Sequence, residues 1–173
     1  MISLEKTFKF TSVFFNSLGQ NVVKAHVRRV RNDKLDHKGK KFADYTTPYK
    51  KRKKAGKAAP KGKTQISRST TPDLTLTGDM LNSMRLIVAE PNGFRYGITD
   101  PKQAQKLIGN QTGIFGNKIN TKKKRIISSG DKSGNAVPQP VQKMIAKEMS
   151  KQIVRQISEE VKKHGMGVKV YEI

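Results

Sequence analysis

Six apolar residues recur at every fourth position near the C-terminal end of the chain, and this spacing predicts one long helix after Pro138 and Pro140. The six are Val141, Ile145, Met149, Ile153, Ile157 and Val161. Each step of four residues turns about 400° around a helix axis, so the apolar line drifts by about 40° per step. One flat core surface cannot receive the whole line. We therefore expect the front half to pack on the protein's own sheet, and Ile153, Ile157 and Val161 to contact a neighbouring subunit.

A second long helix is predicted from Ser12, a suitable N-cap, to about Lys34. One of its faces collects Phe14, Phe15, Leu18, Val22 and Ala25. A narrower apolar strip of Val23, Val27 and Val30 lies roughly opposite. Two interpretations stay open: a core helix that tolerates surface valines, or a helix held between its own sheet and a neighbouring subunit. In the second, Val23, Val27 and Val30 are interface residues.

Between these helices the sequence predicts a short helix, a β-hairpin and a further helix. The short helix spans 77–84 with Thr77 as its cap, and the β-rich runs 85–90 and 94–98 flank a tight turn at Pro91-Asn92-Gly93. Asp100 is placed to cap a helix from Pro101 to about Ile108, with Ala104, Leu107 and Ile108 facing inward. Further strands are expected at 125–128 and 165–171. The predicted fold is a single α+β domain of residues 1–173, with an antiparallel sheet packed by long N- and C-terminal helices.

Positive charge is concentrated in two segments of the chain. The 173 residues include 36 Lys and Arg against 13 Asp and Glu, a formal net charge of +23. The first segment holds Lys50, Lys51, Arg52, Lys53, Lys54, Lys57, Lys61 and Lys63, and the second holds Lys122, Lys123, Lys124 and Arg125. Both are interrupted or flanked by Gly and Pro and offer little to bury. We therefore expect a flexible basic arm at about 50–71 and an extended loop at about 112–137.

These cations are the candidate residues for contact with an anionic partner. DNA phosphates, an acidic protein surface and plain solvation remain three open uses of the first segment. With 6% aromatic residues and no Trp, the chain does not favour a single-strand binder built on base stacking.

The sequence offers little for catalysis or for metal and cofactor binding. Cysteine is absent, and His26, His37 and His164 are scattered. Asp33, Asp36 and His37 are better explained as polar residues leaving a helix than as a metal site. We expect no catalytic residue, no cofactor and no metal. Because no run of about 18 apolar residues and no secretion signal is present, we expect a soluble protein made in a cytosol, without a membrane partner.

Two short patterns give the chain a resemblance to a known family. Leu76-Thr-Gly-Asp-Met-Leu-Asn-Ser83 fits Leu-Thr-Gly-x-Met/Leu-x-x-Ser, and Ala104 precedes Gln111-Thr-Gly113 at the spacing Ala-x6-Gln-x-Gly. Over about residues 39–113 the chain resembles the phage virion-morphogenesis, or tail-completion, proteins. In that family the stretch before the last helix resembles Pro-x-Arg-x-Phe. Here a Gly- and Asn-rich insertion precedes Pro138.

The resemblance implies a structural ring component and not an enzyme. Such a protein sits in the virion neck, after assembly in the host cytoplasm, and joins head to tail around the DNA channel. The implied partners are further copies in a cyclic homo-oligomer, portal or head-completion proteins, tail proteins and the backbone of genomic DNA. Gln111 and Gly113 would set the geometry of a loop shared between subunits. The alternative, from composition alone, is a basic nucleic-acid-binding protein of nucleoid or ribosomal type.

Overall fold

A long N-terminal helix packs against both an antiparallel hairpin and a long C-terminal helix. The computed structural model describes residues 8–74, 77–112, 114–115, 118–119 and 137–163. In chain order the elements are α1 (Ser12–Arg28), a π-helical turn (Arg29–Asp33), α2 (Thr47–Lys54), α3 (Asp79–Asn82), β1 (Met84–Glu90), β2 (Gly93–Ile98), α4 (Pro101–Thr112), β3 (Ile114–Phe115), β4 (Lys118–Ile119) and α5 (Gln139–Lys163). The strands form two antiparallel pairs, β1 with β2 and β3 with β4. The predicted α+β class is confirmed, and the predicted strands at 125–128 and 165–171 lie outside the described residues.

The first helix begins one residue earlier than predicted. Thr11, not Ser12, is the N-cap, and its hydroxyl accepts a hydrogen bond from the Phe14 amide at 3.1 Å. The helix continues through the π-helical turn to Lys34, whose left-handed backbone (φ 59°) ends it. The predicted end at about Lys34 is therefore confirmed.

The hairpin packs so closely on α1 at Gly19 that a side chain there would have to displace its neighbours. A Cβ atom added at Gly19 would lie 2.5 Å from Leu86 Cδ1 and 2.9 Å from Phe94 Cδ2. The hairpin itself is as predicted, with Glu90 opposite Gly93 across a two-residue turn. One residue of β1, Ile87, has no partner on β2, which makes a β-bulge between Leu86 and Val88.

We expect Gly19→Ala to destabilise the protein by about 1–2 kcal/mol. Alanine favours a helix over glycine by about 1 kcal/mol, but here its methyl group overfills the contact with the hairpin. Gln20→Ala, at the exposed neighbouring position, is the control and should change stability by less than about 0.5 kcal/mol. Chemical denaturation of both variants measures the difference. A Gly19→Ala protein at least as stable as the control would show that the hairpin does not press on α1.

The C-terminal helix runs antiparallel to α1 and covers it with its front half. The Gln139 amide donates to the His37 carbonyl at 3.0 Å, and the Gln156 side chain donates to the Lys9 carbonyl at 2.8 Å. One apolar cluster joins the two helices and the hairpin. It comprises the buried Phe15, Leu18, Val22 and Val141, with Phe10, Phe14, Ala89, Phe94, Tyr96, Val137, Met144, Ile145 and Met149 packed around them. The front half of α5 therefore packs chiefly on α1 and shares this cluster with the hairpin, whereas the prediction placed it on the sheet.

A second apolar cluster lies at the far end of α1. Val30, Phe42, Met80 and Leu81 are its buried members, and Val27, Leu74, Ile98 and Leu107 pack against them. Val30 is fully buried there, so its prediction as a subunit-interface residue is wrong. Met80 and Leu81 enter the cluster from α3, which is capped by Gly78 (φ 78°) and not by Thr77 as predicted.

The fourth helix keeps its predicted start but not its predicted end. The Asp100 carboxylate accepts hydrogen bonds from the amides of Lys102 and Gln103 at 2.8 and 3.1 Å, which confirms the cap. The helix reaches Thr112, and Ile108 is 58% exposed and does not face inward. None of the helices in the described part of the chain combines the length and the apolar character that crossing a membrane requires.

A buried histidine and arginine lie where α1 meets the hairpin. His26 is fully buried, its Nε2 lies 3.3 Å from Arg29 Nη2, and its ring contacts Tyr96 edge-on. Because arginine only donates, Nε2 accepts and the imidazole is neutral. Burial, reinforced by the Arg29 charge, lowers the pKa of His26 to about 3. Burial also lowers the pKa of Arg29 to about 10 and raises the pKa of Tyr96 to about 12.

We expect this histidine to make the protein less stable in mild acid. In the unfolded chain it takes up a proton near pH 6.5, but in the folded protein only near pH 3. Its contribution to stability is therefore complete above pH 6.5 and is lost as the pH falls from 6.5 towards 3, by about 2 kcal/mol at about pH 5. Denaturant titrations at several pH values measure this loss. His26→Gln should remove that part of the slope, and an unchanged slope would contradict the assignment.

Candidate anion-binding surface

The start of the predicted basic arm at 50–71 is helical. Residues Thr47–Lys54 form helix α2, with Pro48 in its first turn and its cations towards the C-terminal end. Cations at that end are favoured by the helix dipole. Gly56, with φ 75°, follows the helix and turns the chain into the loop that leads to Pro72.

Helix α2 is fixed to the protein by a buried ion pair. Lys53 is fully buried, and its Nζ lies 2.5 Å from Oδ1 of Asp73, which is also buried. The Ser67 hydroxyl donates to the second oxygen of the same carboxylate. The Tyr45 ring centroid lies 4.9 Å from Nζ. Lys53 is therefore not available to an anionic partner, and its assignment to the contact surface is wrong.

Two tyrosines enclose this ion pair. The rings of Tyr45 and Tyr49 meet edge-on with centroids 4.8 Å apart. Burial, reinforced by the Asp73 charge, raises the pKa of both hydroxyls above their ordinary value. Both tyrosines are therefore neutral at physiological pH, and the carboxylate of Asp73 is compensated by Lys53.

The loop after α2 is also held at several points. The Gln65 side chain donates to the carbonyls of Lys53 and Ser67 at 2.6 and 2.9 Å, and accepts from the Ala58 amide at 3.0 Å. The Arg68 guanidinium lies 3.4 Å from the position of a Cβ on Gly56. A loop fastened in this way presents its lysines from a defined surface.

Five of the cations predicted for anion contact are exposed on α2 and its loop and lie outside the ion pairs of Lys50, Lys53 and Lys63. We call Lys51, Arg52, Lys54, Lys57 and Lys61 the basic surface. Within the described residues, no acidic side chain forms an ion pair with any of the five. Lys50 and Lys63 differ, because Lys50 pairs with Asp44 at 3.0 Å and Lys63 with Asp79 at 3.5 Å. The second predicted patch, Lys122, Lys123, Lys124 and Arg125, lies outside the described residues.

The residues predicted for subunit contact fall into two groups. On α1, Val27 packs against the core and Val23 is half-buried. On α5, the rear half carries apolar residues outside both clusters: Ile153, Val154, Ile157 and Val161, which we call the distal α5 stripe. Val154 is 41% exposed and Ile157 is 39% exposed.

A further apolar surface escaped the sequence-based prediction. Val13 on α1 is 76% exposed and Ile87 on β1 is 52% exposed, and both line one groove. A signal was present in the sequence, because residues 10–23 form a run of fourteen without a charged side chain in a chain that is 28% charged. Hydrophobic periodicity alone does not reveal this feature.

The residues that carry the family resemblance have local structural roles. The Asn110 side chain donates to the Lys106 carbonyl at 2.8 Å and lies 4.0 Å from the Met80 sulfur. Helices α3 and α4, which carry parts of the two family patterns, therefore lie next to each other. Gln111 belongs to the last turn of α4 and not to the predicted loop, and Gly113 lies outside the described residues.

The acidic residues near the end of α1 are explained by turn geometry. The Asp36 carboxylate accepts hydrogen bonds from the amides of Lys38 and Lys40, both at 2.9 Å. In the described part of the chain, no three histidine or acidic side chains are grouped as metal ligands would be.

Comparison with known proteins gives no relative for this chain: no family model, no curated protein and no solved structure matches it.

Proposed function

We propose that this chain is a structural virion protein of a tailed phage, a ring-forming neck component that joins head to tail around the DNA channel. Its partners are further copies of itself, portal or head-completion proteins and tail proteins, with the DNA backbone as a further contact. The protein assembles in the host cytoplasm and acts in the virion. It acts by binding these partners through buried apolar surface and charge, and it catalyses no reaction.

One combination of features carries this proposal. A single chain presents both a basic surface on α2 and its loop and a partly exposed apolar stripe on α5, whose front half packs in the core. Apolar stripes of this kind are typical of subunit contacts, and an array of like-charged surfaces facing one side suits contact with DNA or with an acidic ring. The resemblance to tail-completion proteins at residues 76–83 and 104–113 is the reason for proposing a phage neck as the assembly.

The proposal is tested by the mass of the protein in solution. Light scattering is recorded with and without nuclease, at low and at high salt. We expect a closed oligomer that survives both treatments, or a monomer that assembles only when a portal or tail complex is added. A protein that stays monomeric on portal and tail complexes, and assembles only on DNA, would overturn the proposal.

The exposed cations on α2 favour one alternative, a basic nucleic-acid-binding protein of nucleoid or ribosomal type. Such a protein would be a monomer or dimer whose tight binding to duplex fades steeply as salt rises. The same scattering experiment separates the two functions, because only the neck component assembles without nucleic acid on itself or on virion proteins.

A further inference from the structure

An open groove lies between the first turns of α1 and strand β1. Its volume is about 410 Å³. It is lined by Ser12, Val13 and Asn16 of α1 and by Leu86, Ile87, Val88 and Ala89 of β1. Two of these side chains, Val13 and Ile87, are large, apolar and more than half exposed. The groove therefore offers apolar area that the described part of the chain leaves uncovered.

The charge around this groove favours a second copy of the same chain as its occupant. Each copy carries +23, so two copies repel each other wherever their basic surfaces meet. Residues 10–23, which include the α1 side of the groove, contain no charged residue. Interface cores are depleted in charge in the same way. A nucleic acid or an anionic lipid surface would instead be drawn to the basic surface.

The shape of β1 favours a helix over an added strand. Ile87 is the extra residue of a β-bulge, and a bulge disrupts the regular ladder that strand addition requires. A helix that lays apolar side chains into a groove does not need that ladder. It needs anchors spaced by about four residues along one face.

The distal α5 stripe has this spacing, and two of its members, Val154 and Ile157, are exposed. Ile153, Ile157 and Val161 are separated by four residues each, and Val154 adjoins them. Groove and stripe belong to different flanks of the molecule. Asn16, in the groove, lies about 160° around α1 from Phe14, which packs in the cluster that α5 covers. Two different surfaces that bind each other make a head-to-tail contact, and such contacts form a ring when the rotation from one copy to the next closes.

We propose that the distal α5 stripe of one copy docks in the α1–β1 groove of the next copy. This inference rests on the ring proposed above, and it names the two surfaces that make each junction. Val13 and Ile87 receive the stripe, and Val154 and Ile157 supply its most exposed apolar side chains. The α1 valines Val23 and Val27 are not needed for this junction.

The test places one negative charge in each surface. Val13→Glu disrupts the groove and Ile157→Glu disrupts the stripe, and both positions are exposed enough to leave the fold intact. The controls make the same charge change outside the two surfaces: Asn21→Glu on α1 and Lys162→Gln on α5. We expect each test variant to weaken self-association at least about tenfold, with the controls close to the wild type. Circular dichroism checks that all four remain folded.

Mixing the two test variants distinguishes this junction from a symmetric one. A chain with Ile157→Glu keeps an intact groove, and a chain with Val13→Glu keeps an intact stripe. Equal amounts of the two should therefore form one good junction and accumulate as mixed dimers, while each variant alone stays monomeric. A symmetric contact of the groove with itself would give no recovery on mixing.

Two results would overturn the inference. If the wild-type protein is monomeric at high concentration without nucleic acid, the proposed junction does not form. The neck function still stands if the chain assembles on a portal or tail complex. If the Val13→Glu and Ile157→Glu variants both still form the wild-type oligomer, the ring stands but its junctions lie at other surfaces.

Discussion

Asp73→Asn is expected to destabilise the protein by about 3–5 kcal/mol, the usual cost of removing one partner from a buried ion pair. The variant would leave the Lys53 ammonium fully buried without its carboxylate, and the Ser67 hydroxyl without the charge to which it donates. Chemical denaturation measures the loss. Since α2 and its loop are fastened through this pair, trypsin should also cut within residues 50–63 faster than in the wild type.

An exposed ion pair on the same helix provides the matched control. Lys50 and Asp44 lie 3.0 Å apart, but their side chains are 34% and 67% exposed. Asp44→Asn should therefore cost less than about 1 kcal/mol. The double variant Lys53→Met/Asp73→Leu removes both charges and should recover much of the stability lost by Asp73→Asn. Equal costs for Asp73→Asn and Asp44→Asn would show that the buried pair does not fix α2.

Neutralising the basic surface is expected to lower affinity for duplex DNA by about two orders of magnitude at about 0.1 M salt. The variant replaces Lys51, Lys54, Lys57 and Lys61 by glutamine. Each phosphate contact contributes about 0.9 to the slope of log affinity against log salt, so losing four contacts lowers that slope by up to about 3.6. Fluorescence anisotropy with a labelled duplex over a salt series measures both quantities.

The control for this variant removes the same net charge elsewhere. Lys102, Lys106, Lys143 and Lys147 are exposed on α4 and α5, and their replacement by glutamine also lowers the net charge by four. A smaller loss of affinity in this control shows that position matters beyond total charge. Equal losses of affinity in the two variants would mean that DNA affinity depends only on the overall charge. The basic surface would then be assigned to an acidic protein partner.

Local signals in the sequence predicted the elements that depend on neighbouring residues. The hairpin follows from two β-rich runs around Asn92-Gly93, and the start of α4 follows from Asp100, whose carboxylate reaches amides only two and three residues away. The four-residue spacing in α5 likewise predicted one long helix; the apolar residues of its front half join the core, while Val154 and Ile157 in its rear half are exposed.

The two predicted contact residues that are wrong, Lys53 and Val30, depend on contacts between distant residues. A run of lysines predicts solvation, and only Asp73, twenty residues further on, makes the burial of Lys53 favourable. Val30 seemed a surface residue because on a uniform helix it lies about 120° from Leu18, outside the main apolar face. The π-helical turn at Arg29–Asp33 changes that projection, and Phe42 and Met80 then enclose it in a second cluster. Such pairings cannot be inferred from periodicity within one helix.

The antiparallel docking of α5 on α1 has a consequence for synthesis of the protein. The Gln156–Lys9 contact joins residues 147 positions apart. Helix α1 can therefore complete its packing only after α5 has been synthesised. At about 5–20 residues per second, a ribosome needs about 3–13 s to add the residues from the end of the hairpin to the end of α5. During that interval, of the described elements that pack on the Phe15 side of α1, the hairpin has been synthesised and α5 has not. The nascent chain therefore exposes its most apolar face to chaperones and to other nascent copies before it can close on itself.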